Sequence, residues 1–145
     1  MTYNFSTRSK DNLFNVHPKL VTLAYRVLRH GLFDFGVTCG ERPKEEQDKA
    51  VFEGRSKVEF PNSKHNIAKG VRDVAEAMDI ILYINGKGTY KERDKPSYYM
   101  ALGVFLGIAS EMGIRIRCGG DWDRDFSVTD QNFHDLPHIE YLGEI

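Results

Sequence analysis

Apolar and polar positions along the chain fall into a short series of regular patterns. From Pro18 to His30, the residues Leu20, Leu23, Ala24, Val27 and Leu28 recur at helical spacing and Gly31 follows as a stop, which predicts an amphipathic helix. Phe33, Phe35, Val37 and Cys39 then alternate with Asp34, Gly36 and Thr38, the period of a half-buried strand that ends at Gly40-Glu41-Arg42. Pro43 suits the first turn of a helix reaching about Glu53, with Glu45 and Glu46 near its positive end and Gly54 beyond its last turn. Arg42 is thereby placed at a strand-to-helix junction. Residues 55 to 76 are polar and irregular, Glu76 to Tyr83 reads as a strand, and a loop with Asn85-Gly86 and Gly88 follows.

In the segment from Pro96 to Met112, Tyr99, Leu102, Val104, Phe105, Leu106, Ile108 and Ala109 nearly encircle the axis, which predicts a core helix. Its apolar part is well short of the ~20 residues of a membrane span. Ile114 to Cys118 reads as a short strand closed by Gly119-Gly120, and His138 to Leu142 as the last strand. Helices and strands alternate without a βαβ rhythm. The expectation is an α+β fold, a single compact domain over residues 1–145 with a small, largely antiparallel sheet packed against helices.

Charge and cysteine content narrow the function classes. Lys and Arg number 20 against 21 Asp and Glu, so bulk charge does not point to nucleic acid or an anionic membrane surface. Cys39 and Cys118 are far apart and lack C-x-x-C spacing, which predicts reduced thiols rather than a disulfide framework or a Cys-rich zinc site. Met1 to Asp11 is polar and carries no apolar signal-peptide core, so the chain is expected in a cytoplasm.

Candidate chemistry centres on His134-Asp135-Leu136-Pro137-His138, where an acid precedes a histidine by three residues. That is half of a metal site: a neutral imidazole binds Zn²⁺, and a nearby carboxylate off the metal can accept a proton from activated water. Ser63-Lys64-His65 supplies a second histidine, and Ala77-Met78-Asp79 supplies a carboxylate at the head of the apolar run Ile80-Ile81-Leu82. Two histidines and one aspartate leave a tetrahedral zinc with one open position, as in catalytic sites.

Five motifs in order, Gly40-Glu41-Arg42, Ser63-Lys64-His65, Ala77-Met78-Asp79, Gly119-Gly120-Asp121-Trp122 and Asp135-Leu136-Pro137-His138, extend the pattern. Together they resemble the zinc peptidases of phage endolysins that cut the L-alanyl-D-glutamate bond of peptidoglycan stem peptides, relatives of the D-alanyl-D-alanine carboxypeptidases. The resemblance implies that His65, Asp79 and His138 bind zinc and that Asp135 is general base and then general acid. It implies that Arg42 stabilises the tetrahedral intermediate or anchors a substrate carboxylate. It further implies lysis of the host cell, with the protein accumulating in the host bacterial cytoplasm and reaching the wall through a holin lesion; the sequence leaves the oligomeric state open, with a monomer as the expectation.

Alternatives stay open at this stage. The interval between His65 and Asp79 is about twice the family's usual one, and Asp73 stands nearer that usual spacing. Asp79 is preferred because Ala77-Met78-Asp79 matches the motif and leads into a rigid strand, whereas Asp73 lies in what reads as a mobile insertion. Bond choice leaves D-alanyl-D-alanine cleavage as a rival, and a non-catalytic wall-binding domain with a structural zinc is a rival of another class. Glu140 shares a strand face with His138 and fits either an orienting contact or a surface carboxylate. His134 reads as an exposed loop histidine, His17 and His30 as solvated, and Trp122 as a core or loop anchor. Asp121, Asp123 and Asp125 have the alternation of a calcium loop, but Phe126 stands where such a loop needs Gly and Asn132 where it needs Glu.

Overall fold

The helix predicted after Pro18 forms as α2 (Pro18–Arg29) and buries the five apolar residues at helical spacing. Its N-terminus is capped by His17, whose Nδ1 accepts from the Lys19 N–H and whose ring stacks on Tyr141 at 4.0 Å. His17 is thus a structural cap and not the solvated residue expected. In this computed structural model residues 2–131 and 134–145 are described. The remaining helices are α1 (Thr7–Leu13), α3 (Lys44–Phe52) and α4 (Lys95–Glu111). The strands are β1 (Asp34–Cys39), β2 (Ala77–Ile84), β3 (Lys87–Thr89), β4 (Ile114–Cys118) and β5 (His138–Glu144).

Every pairing between these strands is antiparallel, in the order β1-β2-β5-β4, with β3 paired to the far half of β2. The α+β expectation therefore holds. Register positions the chemistry: Cys39 on β1 faces Asp79 on β2, and Asp79 faces His138 on β5. A row of side chains able to bind metal thus crosses three adjacent strands. Behind the sheet, Phe35 meets Phe105 of α4 edge to face at 5.3 Å, and Phe5 meets Phe35 at the same separation. Such pairs add to the area term that dominates core stability. Helix α4 buries Tyr98, Ala101, Leu102, Phe105, Ile108 and Ala109, packs Tyr99, Val104 and Leu106 partly against the core and leaves Met100 exposed, so its apolar residues surround the axis as expected while full burial is confined to one face. No helix among the described residues is long and apolar enough to cross a membrane.

Helix α1 and strand β3 are among the elements that the periodicity did not predict. Helix α1 docks on β1 through polar groups: Ser9 Oγ accepts from the Val37 N–H, and Asn12 Nδ2 donates to the Val37 carbonyl. Because α1 covers β1, Gly36 is buried along with Phe35 and Val37, and the expected inward–outward alternation is lost. Hairpin strand β3 forms because Asn85 and Gly86 both adopt positive φ, 53° and 77°, the geometry of a tight primed turn. Gly40 is required by close approach: a Cβ there would lie 1.9 Å from the Asn12 carbonyl oxygen.

Residues 55–76 form no named helix or strand, as expected, yet Ser63, His65, Asn66 and Ala75 within them are buried. Arg72 ties the stretch together, donating through Nη1 to the carbonyls of Pro61, Ser63 and Asn66 and through Nε to Glu76. The segment expected to be a mobile insertion is thus anchored at Arg72. Ser9→Ala should leave the buried Val37 N–H without its partner and lower the unfolding free energy by about 1–3 kcal/mol, measured by urea denaturation.

Candidate metal centre

Three side chains from separate parts of the chain converge at the open end of the β1-β2-β5 row. His65 Nε2 lies 3.2 Å from His138 Nδ1 and 3.2 Å from Asp79 Oδ1, and His138 Nδ1 lies 3.1 Å from the same oxygen. The opposite nitrogen of each ring meets an acceptor. His65 Nδ1 is 2.7 Å from the Gly40 carbonyl, and His138 Nε2 is 3.0 Å from Glu140 Oε1. A carbonyl can only accept, so the neutral His65 ring carries its proton on Nδ1; by the same logic His138 carries its proton on Nε2. The lone pairs of both imidazoles then point at one another and at a carboxylate.

Such an arrangement is stable only with positive charge at its centre. Burial works against charging His65, but the Asp79 carboxylate outweighs it and pushes the imidazole up to about 10. His138 is also raised: burial opposes charge, while Asp79 and Glu140 favour it. Asp79, despite burial, is held far below the usual carboxylate range by the two histidines. A metal cation can take the place of those protons. The donor triangle fits one: a tetrahedral zinc with bonds of about 2.0 Å has ligand–ligand edges of about 3.3 Å. Cys39 also brings its thiol into range of His65 and Asp79, but it sits 3.8 Å from His65 Nδ1, the ring nitrogen turned away from His138.

Asp135 and Arg42 flank this centre. The Asp135 carboxylate lies within 4.8 Å of the donor atoms of Asp79 and His138. Burial, with the Asp79 charge, raises its proton affinity above the ordinary value; His138, His65 and Arg42 pull the other way. Gly119 seats the turn that carries it. The Gly119 N–H donates to the His138 carbonyl, the Asp135 N–H donates to the Gly119 carbonyl, and a Cβ on Gly119 would lie 1.8 Å from the Asp135 carbonyl oxygen. Arg42 donates through Nη2 to Asp79 Oδ2 at 3.4 Å and through Nη1 to Gln47 at 3.1 Å. Its backbone is held at both groups, the N–H by the His65 carbonyl and the carbonyl by Asn66 Nδ2.

Gln47 and Asn66, both fully buried and bonded to each other, were not singled out in the sequence. Each is a lone polar residue in a polar stretch, and no spacing marks it. A cleft of about 380 Å³ opens beside the centre, lined by His65, Asp135, His138, Trp122 and a set of cations that includes Arg42, Arg55 and Lys64. A second cavity of about 450 Å³ on the Asp79 side shares Arg42 and Arg55 with it.

Asp73 is exposed and outside the cluster. His134 is exposed, with Nδ1 3.2 Å from the Tyr99 hydroxyl, and His30 is exposed at the end of α2. Glu140 is buried against His138, which removes the surface-carboxylate alternative. Trp122 is half-buried, its backbone N–H donating to Gln131 Oε1 across the loop and its ring lying 5.3 Å from that of His138 on the cleft wall. Asp121, Asp123 and Asp125 bring carboxylate oxygens within 4.8 Å of one another. Phe126 has φ of 67°, so the backbone takes the conformation for which glycine is usual. Asn132 lies outside the described residues. Neither Cys39 nor Cys118 forms a disulfide.

Residues 1–142 match the family of phage L-alanyl-D-glutamate peptidases. The chain is 27% identical over 145 residues to the L-alanyl-D-glutamate peptidase of Escherichia phage T5, covering 98% of this chain and 100% of that protein. It also matches the crystal structure of the Serratia marcescens L-Ala D-Glu endopeptidase ChiX, with a TM-score of 0.72 and 26% identity over 96% of this chain and 90% of that one.

The geometry separates the two candidate aspartates. Asp79→Ala should abolish stoichiometric zinc binding in dialysed protein, whereas Asp73→Ala should retain it, with metal content read by atomic absorption. Loss of zinc on changing Asp73 alone would overturn the assignment.

Proposed function

The chain belongs to the phage L-alanyl-D-glutamate peptidase family, and from that premise we propose that it hydrolyses the L-alanyl-D-glutamate bond of peptidoglycan stem peptides with a zinc ion held by His65, Asp79 and His138. The observation that carries the zinc assignment is the meeting of two imidazole lone pairs and a carboxylate oxygen at 3.1 to 3.2 Å in a buried pocket. When bound, zinc acts as a Lewis acid that makes water a nucleophile near neutral pH.

The chain's own residues do the rest. Asp135 stands beside the ligand set with its proton affinity raised, which suits a group that must take a proton from water and then release it. In the reaction, the water oxygen bonds to the alanyl carbonyl carbon and Asp135 receives the proton. The carbon–nitrogen bond then breaks as Asp135 returns that proton to the departing glutamyl amine. Negative charge that collects on the carbonyl oxygen is met by the Arg42 guanidinium, which Gln47, Asn66 and the His65 carbonyl hold in place before substrate arrives. Arg55, Lys57 and Lys64 extend the cationic lining of the cleft, matching the carboxylates of a stem peptide. A purely structural zinc would need neither Arg42 nor Asp135.

Mass analysis of muropeptides released from purified sacculi tests the reading directly. Products with a new L-alanine carboxyl and a new D-glutamate amine are expected, lost on chelation and restored by zinc. Release of terminal D-alanine alone would replace the proposed bond with the carboxypeptidase alternative.

Asp135→Asn keeps the shape and removes the proton acceptor. Turnover should fall by ~10²–10⁴ while zinc content and thermal midpoint stay near wild type. Turnover close to wild type would exclude Asp135 as the base.

A further inference from the structure

Two residues of the cleft wall, Arg117 and Trp122, have no part in the chemistry just described, yet they close a ring of contacts on His138. His138 and Glu140 stand on one face of β5, two residues apart, and Arg117 of β4 is directly opposite Glu140 in the strand register. Glu140 divides its two oxygens: Oε1 faces His138 Nε2 at 3.0 Å, and Oε2 accepts from Arg117 Nε at 3.1 Å and from Nη2 at 2.8 Å. The Arg117 guanidinium lies 5.5 Å from the centre of the Trp122 ring, and that ring returns to His138 at 5.3 Å. Two faces of one imidazole environment are therefore set by a single arginine.

We propose that Arg117 is a positioning residue which, through Glu140 and Trp122, makes His138 offer Nδ1 rather than Nε2 to the metal. The inference rests on the zinc reading above. An imidazole can bind metal through either nitrogen, and the choice falls to whichever nitrogen is not occupied by a hydrogen-bond acceptor. Glu140 acts as that acceptor only while its carboxylate stays in the plane of the ring. A single-bonded carboxylate could rotate, but the two-donor fork of Arg117 fixes Oε2 and so points Oε1 at Nε2. Glu140 is buried, so its charge also needs the arginine as its partner. Trp122 adds a steric limit: its ring, beneath the guanidinium and tilted 34° to the imidazole, opposes a flip of the His138 ring.

Zinc affinity of the full chain, measured by competition with a chromophoric chelator, tests the proposal in wild type, Arg117→Met and Arg117→Lys. Thermal midpoints are recorded on the same samples. Arg117→Met should bind zinc 10- to 100-fold more weakly, the usual worth of a partner behind a metal-binding histidine. Arg117→Lys keeps the charge without the planar fork and should recover only part of that loss. Trp122, the one tryptophan of the chain, supplies a second readout. Its emission should change saturably with one equivalent of zinc in wild type, and by a smaller amplitude in Arg117→Met. A role in stability alone would lower the thermal midpoint while leaving the zinc affinity of the folded protein unchanged, and that result overturns the proposal. If wild type binds zinc and Arg117→Met binds it equally, only the positioning role falls. If wild type binds none, the metal reading itself fails.

Discussion

Burying two imidazoles and a carboxylate with their lone pairs facing one another is the constraint around which this molecule is arranged. His65, Asp79 and His138 each contribute a donor atom within 3.2 Å of the other two, the imidazoles buried and the carboxylate half-buried. In the absence of a cation, protons must supply the positive charge, which is why both histidines are raised and Asp79 is depressed. A folded chain that concentrates donors in this way is poised to exchange protons for metal. The cost of desolvating the set is offset by the hydrogen bonds that hold its outer edges, above all the Gly40 carbonyl and Glu140.

Those outer bonds depend on places where the backbone comes unusually close to another part of the chain. Gly40 lies under the Asn12 carbonyl, so its own carbonyl can meet His65, and Gly119 lies against Asp135, so the turn entering β5 holds the Asp135 carboxylate near Asp79 and His138. Any side chain at either position would force the two segments apart. A further buried network, Arg42 with Gln47 and Asn66, fastens helix α3 to the His65 segment. Arg72 performs a similar task for residues 61 to 66, gathering three carbonyls that no helix or strand satisfies. Polar bonds thus replace apolar packing where the chain is irregular, which suits a region that must present charged groups to a cleft.

The division of labour between these shells bears on chemistry. His65, Asp79 and His138 are fixed from behind by the Gly40 carbonyl and Glu140, so Asp135 and Arg42 stand beside a centre whose geometry is already set. Both lie on the cleft side, one raised toward proton exchange and the other a fixed cation. The cleft wall gathers Arg42, Arg55, Lys57 and Lys64 although the chain as a whole carries a formal net charge of −1. Local charge in the cleft, and not the global balance, is what a substrate would meet.

Much of this was legible in the sequence because it rests on short-range pattern. Helical spacing after Pro18, strand alternation around Phe35 and the apolar run after Asp79 each reflect which face of an element is buried, and the elements form within a residue or two of those patterns. Spaced motifs identified His65, Asp79, His138, Asp135 and Arg42 as a set, and the fold brings all five to one cleft and its floor. Other features depend on partners distant in the chain. Helix α1 carries little apolar periodicity because it docks by hydrogen bonds to Val37, and nothing near Ser9 announces a partner 28 residues away. Gln47 and Asn66 are ordinary polar residues until the fold buries them together, and His17 becomes a cap only where Tyr141 stacks on it. That Asp79 rather than Asp73 meets the two histidines likewise depends on three dimensions: strand register places Asp79 opposite both Cys39 and His138, while Asp73 is left in solvent. Sequence by itself determined which residues could do chemistry and which faces had to be buried, since both follow from side-chain type and local spacing. Tertiary structure alone decided which nitrogen each histidine turns inward, because that depends on where a distant carbonyl and a cross-strand carboxylate come to rest.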